Sequence, residues 1–155
     1  MKTKHMKSIL AILTLFVLTA AKLGGLTIDN LKLTDQEIPK EYSIAKENNC
    51  ISIQACTFYD SPEMYEMFIG KVKNKAYQSF ESANDKGSIM YFEFENGFKG
   101  QGFLDGLLWG GDKKPTKMHP EKYLAKGNFL VIWSFNKGSE VEKILEDLNG
   151  LSGHN

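Results

Sequence analysis

The chain has 155 residues, 42% of them hydrophobic, with nineteen lysines, no arginine, nineteen acids and a formal net charge of +0. That balance leaves no basic footprint for DNA or RNA. Without a guanidinium fork there is no bidentate phosphate clamp and no arginine finger, so phosphoryl transfer is disfavoured.

The first residues have the three parts of an export leader. Lys2, Lys4 and Lys7 come first, without an acid. An uncharged apolar run from Ser8 to Ala21 follows, carrying Leu10, Leu13, Phe16 and Leu18 and closing on the small residues Thr19-Ala20-Ala21. This predicts a signal peptide over 1–21, cleaved near Ala21, and a mature protein that is periplasmic or secreted. The run is too short for a hydrocarbon core of ~30 Å, so membrane contact is expected only through the uncleaved leader. No cysteine precedes Cys50, so no lipid-acceptor cysteine ends the leader. The leader holds three of the lysines and none of the acids, which leaves the remainder at −3.

Residues 22–49 form an extended lead-in with short apolar pieces at Leu31, Leu33 and Ile38, a break at Pro39, and room for one edge strand. A single globular domain is expected over 50–155. Ile51 to Tyr59 is rich in β-formers and predicts a strand. Ser61-Pro62 is a helix start, and Tyr65, Phe68, Ile69 and Val72 make an apolar stripe, which predicts a helix from Pro62 to about Tyr77. Met90, Phe92 and Phe94 alternate with Tyr91, Glu93 and Glu95, as in a strand with one buried face. Asn96-Gly97 turns the chain into a short helix with Phe103, Leu104, Leu107 and Leu108 inside, stopped by Gly110-Gly111.

Asp112 to Gly127, broken by Pro115 and Pro120, is expected to be a long polar loop. Asn128 to Phe135 is nearly unbroken apolar sequence and predicts a central strand buried on both faces. Ser139-x-x-Glu142 is a capping box ahead of an amphipathic helix with Val141, Ile144, Leu145 and Leu148. The resulting β-α-β-α-β-α order predicts an α+β domain (an α/β sandwich) with helices packed against a small, mostly mixed sheet. Its first connection fits a right-handed parallel crossover.

The chemistry-bearing residues are sparse. Gly100-x-Gly102-x-x-x-Gly106 follows a strand and enters a helix, but its spacing departs from a dinucleotide turn and no ribose-binding acid follows. A Gly-rich helix packing close to the sheet is the better account, and no cofactor is expected. Cys50 and Cys56 would lie ~20 Å apart along a continuous strand, whereas a disulfide needs Cα atoms within ~7 Å. Free thiols are therefore expected. His119 and His154 lack the ligand spacings of a zinc site, so no metal is expected.

No Gly-x-Ser-x-Gly elbow occurs. Glu93 and Glu95 could pair on one strand face, although alternating acids usually mark a wet face. Trp109 beside Gly110 and Gly111, followed by a loop with Lys117 and His119, could wall a ligand groove, although a tryptophan packed into the core is the commoner outcome.

These features point to a non-enzymatic exported module that binds a small molecule or an envelope or extracellular protein. Trp109, Gly110, Gly111, Lys117 and His119 are the candidate ligand-binding residues, and no catalytic set is assigned. The alternative is a small extracytoplasmic hydrolase using His119 with a carboxylate such as Glu93 or Glu121.

Overall fold

The structure is a computed structural model and describes residues 25–47, 50–136 and 139–148. The leader reading therefore falls outside the described residues, as does His154. Strand β1 is Ser43–Ile44, helix α1 is Ile53–Asp60, helix α2 is Glu66–Ile69, strand β2 is Val72–Glu81 and strand β3 is Lys86–Phe94. Helix α3 is Gln101–Trp109, strand β4 is Lys122–Lys126, strand β5 is Phe129–Ser134 and helix α4 is Glu140–Leu148. The strands form one sheet in the order β1-β2-β3-β5-β4, and every pairing is antiparallel.

The domain is mixed α+β, but the expected β-α-β-α-β-α order is wrong, and so is the parallel crossover. Two hairpins, β2–β3 and β4–β5, are joined through α3. The errors have local causes. Ser52 accepts a hydrogen bond from the Ala55 amide at 3.1 Å, which caps α1 and turns the expected first strand into helix. Ala55 and Phe58, three apart, are fully buried, while Ile53 is 81% exposed.

The expected helix from Pro62 stops at Ile69 because Gly70 takes a left-handed φ of +92°. From Val72 the chain extends. Ala76 and Phe80 pack on one sheet face and Tyr77 on the other. Val72 does meet the same core as Tyr65 and Ile69, but from a strand and not from one helix stripe. The expected loop over 112–127 also contains β4, which pairs with β5 across a two-residue turn where Gly127 has φ +59°.

The cysteines require a further correction. Cys50 and Cys56 are disulfide-bonded, with Cα atoms 6.4 Å apart. A helix rises ~1.5 Å per residue where a strand rises ~3.3 Å, so forming α1 supplies the shortening that a strand would forbid.

Both faces of the sheet are covered. Helices α1, α2 and α3 lay Ala55, Phe58, Ile69, Leu104 and Leu108 on Met90, Phe92, Phe94, Leu130 and Ile132. The opposite face packs Ile89, Tyr91, Trp133 and Phe135 beneath Ile28 and Leu33 of the lead-in and Val141 and Leu145 of α4. Strand β3 is consequently buried on both faces, not one. Strand β5 is interior as expected, lying between β3 and β4. The short helix at Gln101–Trp109 and the Ser139 cap also match expectation; Ser139 Oγ accepts the Glu142 amide at 3.0 Å.

Contrary to the expectation from sequence, the glycines of Gly100-x-Gly102-x-x-x-Gly106 do not bring α3 close to the sheet; only Gly100 among them is tightly packed, and against another helix. A Cβ there would meet Ile69, whereas Gly102 and Gly106 face open space. The close approach is to α2, and the glycine series has no phosphate geometry to explain. Among the described residues, no helix is long and apolar enough to cross a membrane.

Candidate functional site

Strand β4 begins where three features meet. Ahead of it, the loop turns back at Thr116, whose amide donates to the His119 carbonyl at 2.9 Å while its hydroxyl accepts the His119 amide at 3.0 Å. This reciprocal turn puts Lys117 and Met118 at an exposed tip. Pro120 and Glu121 then lead into the sheet edge.

On the face carrying α4, Lys117, Thr116 and Pro115 overhang a groove of about 700 Å³. Its other lining includes Lys122, Phe135 and Glu142. Phe135 is fully buried. Lys122 Nζ is ion-paired with Glu142 at 3.0 Å and also with Glu146, both on α4. Burial pulls the Lys122 ammonium downward, but the hydrogen bonds and charges of Glu146 and Glu142 outweigh it, and the net direction is upward. The groove thus has proline walls above the buried Phe135, one cation fixed between two carboxylates, and a second cation, Lys117, on its exposed rim.

The candidate residues do not come together as one set. Lys117 lines the groove, but Trp109 lies against the helix-covered face, the opposite side of the sheet. Its indole N–H donates to the Glu121 carbonyl at 2.8 Å and its ring stacks on Tyr123 at 5.6 Å. Trp109 is a half-buried prop for the start of β4. Gly110 closes α3 with φ +58°, and Gly111 continues in a 3-10 turn; both are exposed. His119 is partly buried, and its Nδ1 has no hydrogen-bond partner among the described residues.

The acids proposed for hydrolysis are committed elsewhere. Glu93 accepts from Asn74 at 2.8 Å and Lys73 at 2.9 Å, which hold its carboxyl below the usual range. It pairs in register with Phe129, at the end of the sheet remote from His119. Glu95 pairs with Lys71 at 2.9 Å, so the two acids form separate ion pairs instead of an acid–base couple. Glu121 is 1% exposed and accepts a hydrogen bond from Ser52 Oγ. Among the described residues, no group of three or more His, Cys, Asp or Glu could hold a metal.

Sequence reasoning missed Lys122, Phe135, Glu142 and Glu146 as neighbours. The capping box had already accounted for Glu142, and nothing local links it to a lysine twenty residues earlier. Comparison with family models, curated proteins and solved structures finds no match to this chain.

Proposed function

We propose that this is an exported, non-enzymatic binding module, cleaved near Ala21, whose groove beside Lys122 takes a small molecule with an apolar body and an acidic or polar head. The groove carries the reading. Its volume of about 700 Å³ lies within the ~300–1,000 Å³ of small-molecule sites. Pro115 and Pro120 in its lining offer apolar surface to the body, and Lys117 on the rim offers a cation to the head.

Lys122 contributes shape more than charge, because Glu142 and Glu146 already satisfy it. The hydrolase alternative has less support, since Glu93 is remote from His119 and Glu121 is closed off from solvent.

Benzoate and benzylamine, matched in their apolar part and opposite in head-group charge, test the site by NMR chemical-shift titration. Benzoate is expected to bind more tightly and to move the Lys117 and Lys122 resonances. Lys117→Glu should weaken benzoate about fivefold, the scale of one rim charge worth ~1 kcal/mol. Equal binding of both probes, unchanged by Lys117→Glu, would remove the groove as the site. Intact-mass measurement of exported protein tests the leader; a mass starting at or near Lys22 is expected.

A further inference from the structure

The face under α1, α2 and α3 ends in a row of buried polar groups, three of whose oxygens, in Glu121, Ser134 and Ser88, neither the groove nor the fold accounts for. In the β2–β3 register Ser79 lies opposite Ser88, and in the β3–β5 register Ser88 lies opposite Ser134. On β4, Lys122 lies opposite Trp133, so the next step of that ladder sets Glu121 across from Ser134. Alternation puts Ser88 on the face of Met90 and Phe92, and Ser134 on the face of Ile132. From the helix layer Ser52, which caps α1, reaches down to Glu121.

All five side chains are sealed, with exposures of 4% for Ser79, 1% for Ser88, 1% for Ser134, 1% for Glu121 and 3% for Ser52. Ser52 occupies one carboxylate oxygen of Glu121. The other, Oε2, has no partner among the described residues, and neither do the hydroxyls of Ser88 and Ser134. No lysine or histidine is ion-paired with Glu121 among the described residues.

Buried polar oxygens without partners are costly, and an ionised carboxylate among them needs a positive partner. Such a row asks for an occupant that is positive and accepts oxygen ligands. We infer that Glu121 Oε2 and the hydroxyls of Ser134 and Ser88 form a binding site for a desolvated, hard monovalent cation such as sodium. Charge selects the valence: one carboxylate neutralises a single positive charge, and a divalent ion would leave a buried excess.

Chemistry selects the kind of ion: one carboxylate and two hydroxyls are an all-oxygen donor set, which suits a hard cation such as sodium. The ion ties the start of β4 to β5 and β3 and, through Ser52, to the N-terminal turn of α1. That turn is already closed by the Cys50–Cys56 bond.

Thermal unfolding of the mature protein in sodium chloride, potassium chloride and choline chloride, at equal ionic strength, tests the site. The melting temperature is expected to be several degrees higher in sodium chloride than in choline chloride and to rise with the logarithm of sodium concentration. Glu121→Gln and Ser134→Ala should each abolish the difference between sodium and choline. If Glu121→Gln does not fold, Ser134→Ala, which deletes one hydroxyl, decides alone. Equal melting in all three salts overturns the proposal, and so does a sodium effect that survives in Ser134→Ala.

Discussion

The two faces of the sheet are closed by different physics. The face under α1, α2 and α3 is closed chiefly by apolar and aromatic packing, with bonds from Tyr123 to Asp105, Trp109 to the Glu121 carbonyl and Ser52 to Glu121 only where it meets β4. Phe58 sits edge-on to Phe92 at 5.1 Å and stacks on Tyr65 at 5.6 Å, and Phe68 lies flat on Phe103 at 4.8 Å. The opposite face is closed by chain segments remote in sequence, and polar clips hold them in place. Gln78 accepts the Leu33 amide at 3.0 Å, donates to the Leu33 carbonyl at 2.9 Å, and also accepts the Tyr91 hydroxyl at 2.7 Å.

Tyr42 donates to Asp85 in the β2–β3 turn, and Lys122 reaches Glu142 and Glu146 on α4. Burial of apolar area is non-directional, so it can hold short helices without specifying their partners one by one. A segment as polar as the lead-in buries little apolar surface, so directional bonds must fix where it lies.

If that contrast holds, damage to the two faces should differ in kind. The largest effect is expected from Ile132→Asp, which puts an unpaired carboxylate into the apolar face at a fully buried position. The cost is several kcal/mol against a domain stability of about 5–15 kcal/mol. Denaturant unfolding should show a global loss. Unchanged unfolding would mean that this face does not carry the core.

Gln78→Leu keeps approximate volume but removes both bonds to Leu33, at an expected cost of about 1–3 kcal/mol because the buried Leu33 backbone groups lose their partner. The damage should be local. Hydrogen exchange at the Leu33 amide and its neighbours should accelerate while the amides of β3 and β5 stay protected. Equal loss of protection across the sheet would merge the two faces into one cooperative unit and end the comparison.

The smallest effect is expected from alkali. Burial, and then the hydrogen bond and charge of Asp85, push the Tyr42 hydroxyl from 10.0 up to about 12. A folded value above the unfolded one means that the folded state holds the proton more tightly. Its stabilisation is therefore complete below about pH 10 and is lost as pH rises from 10 to 12. Because Tyr42 is partly exposed, the change should be on the order of 1 kcal/mol.

Tyr91 and Tyr123 shift in the same direction, each chiefly through burial. The informative quantity is therefore the difference between wild type and Tyr42→Phe over that window. Parallel alkaline curves for the two proteins would show that the Tyr42–Asp85 clip does not stabilise this face.

Much of the apolar pattern was legible in the residues themselves. Leu104 and Leu108 of α3, the Ser139 cap, and the unbroken apolar run of β5 appear where periodicity and capping chemistry put them, because each depends on neighbours within a turn or two. Ser52 was legible in principle as a cap, but the β-formers after it masked the signal. Once it starts a helix, Cys50 and Cys56 come within bonding range. The stripe through Tyr65, Ile69 and Val72 misled for a related reason. Helical spacing across Gly70 describes a continuous surface only if the glycine stays helical, and its φ of +92° does not.

The candidate site divides the same way. Lys117 stands out from sequence as a loop cation flanked by prolines, and it does line the groove. Its partners in that wall do not announce themselves, because Lys122 meets Glu142 only after β4 pairs with β5 and α4 folds back across the sheet. Trp109 drew notice for its size and its glycines, yet it ends up on the other face, bonded to the Glu121 carbonyl.

What the sequence by itself determined is local: caps, turns, and which stretches must be buried, since these follow from backbone sterics and from water's exclusion of apolar groups. Only the tertiary structure decided strand order, the pairing of the cysteines, and the alignment of Ser88, Ser134 and Glu121 on one face. Those depend on which strands become neighbours, and antiparallel register joins residues tens of positions apart that carry no local mark of one another.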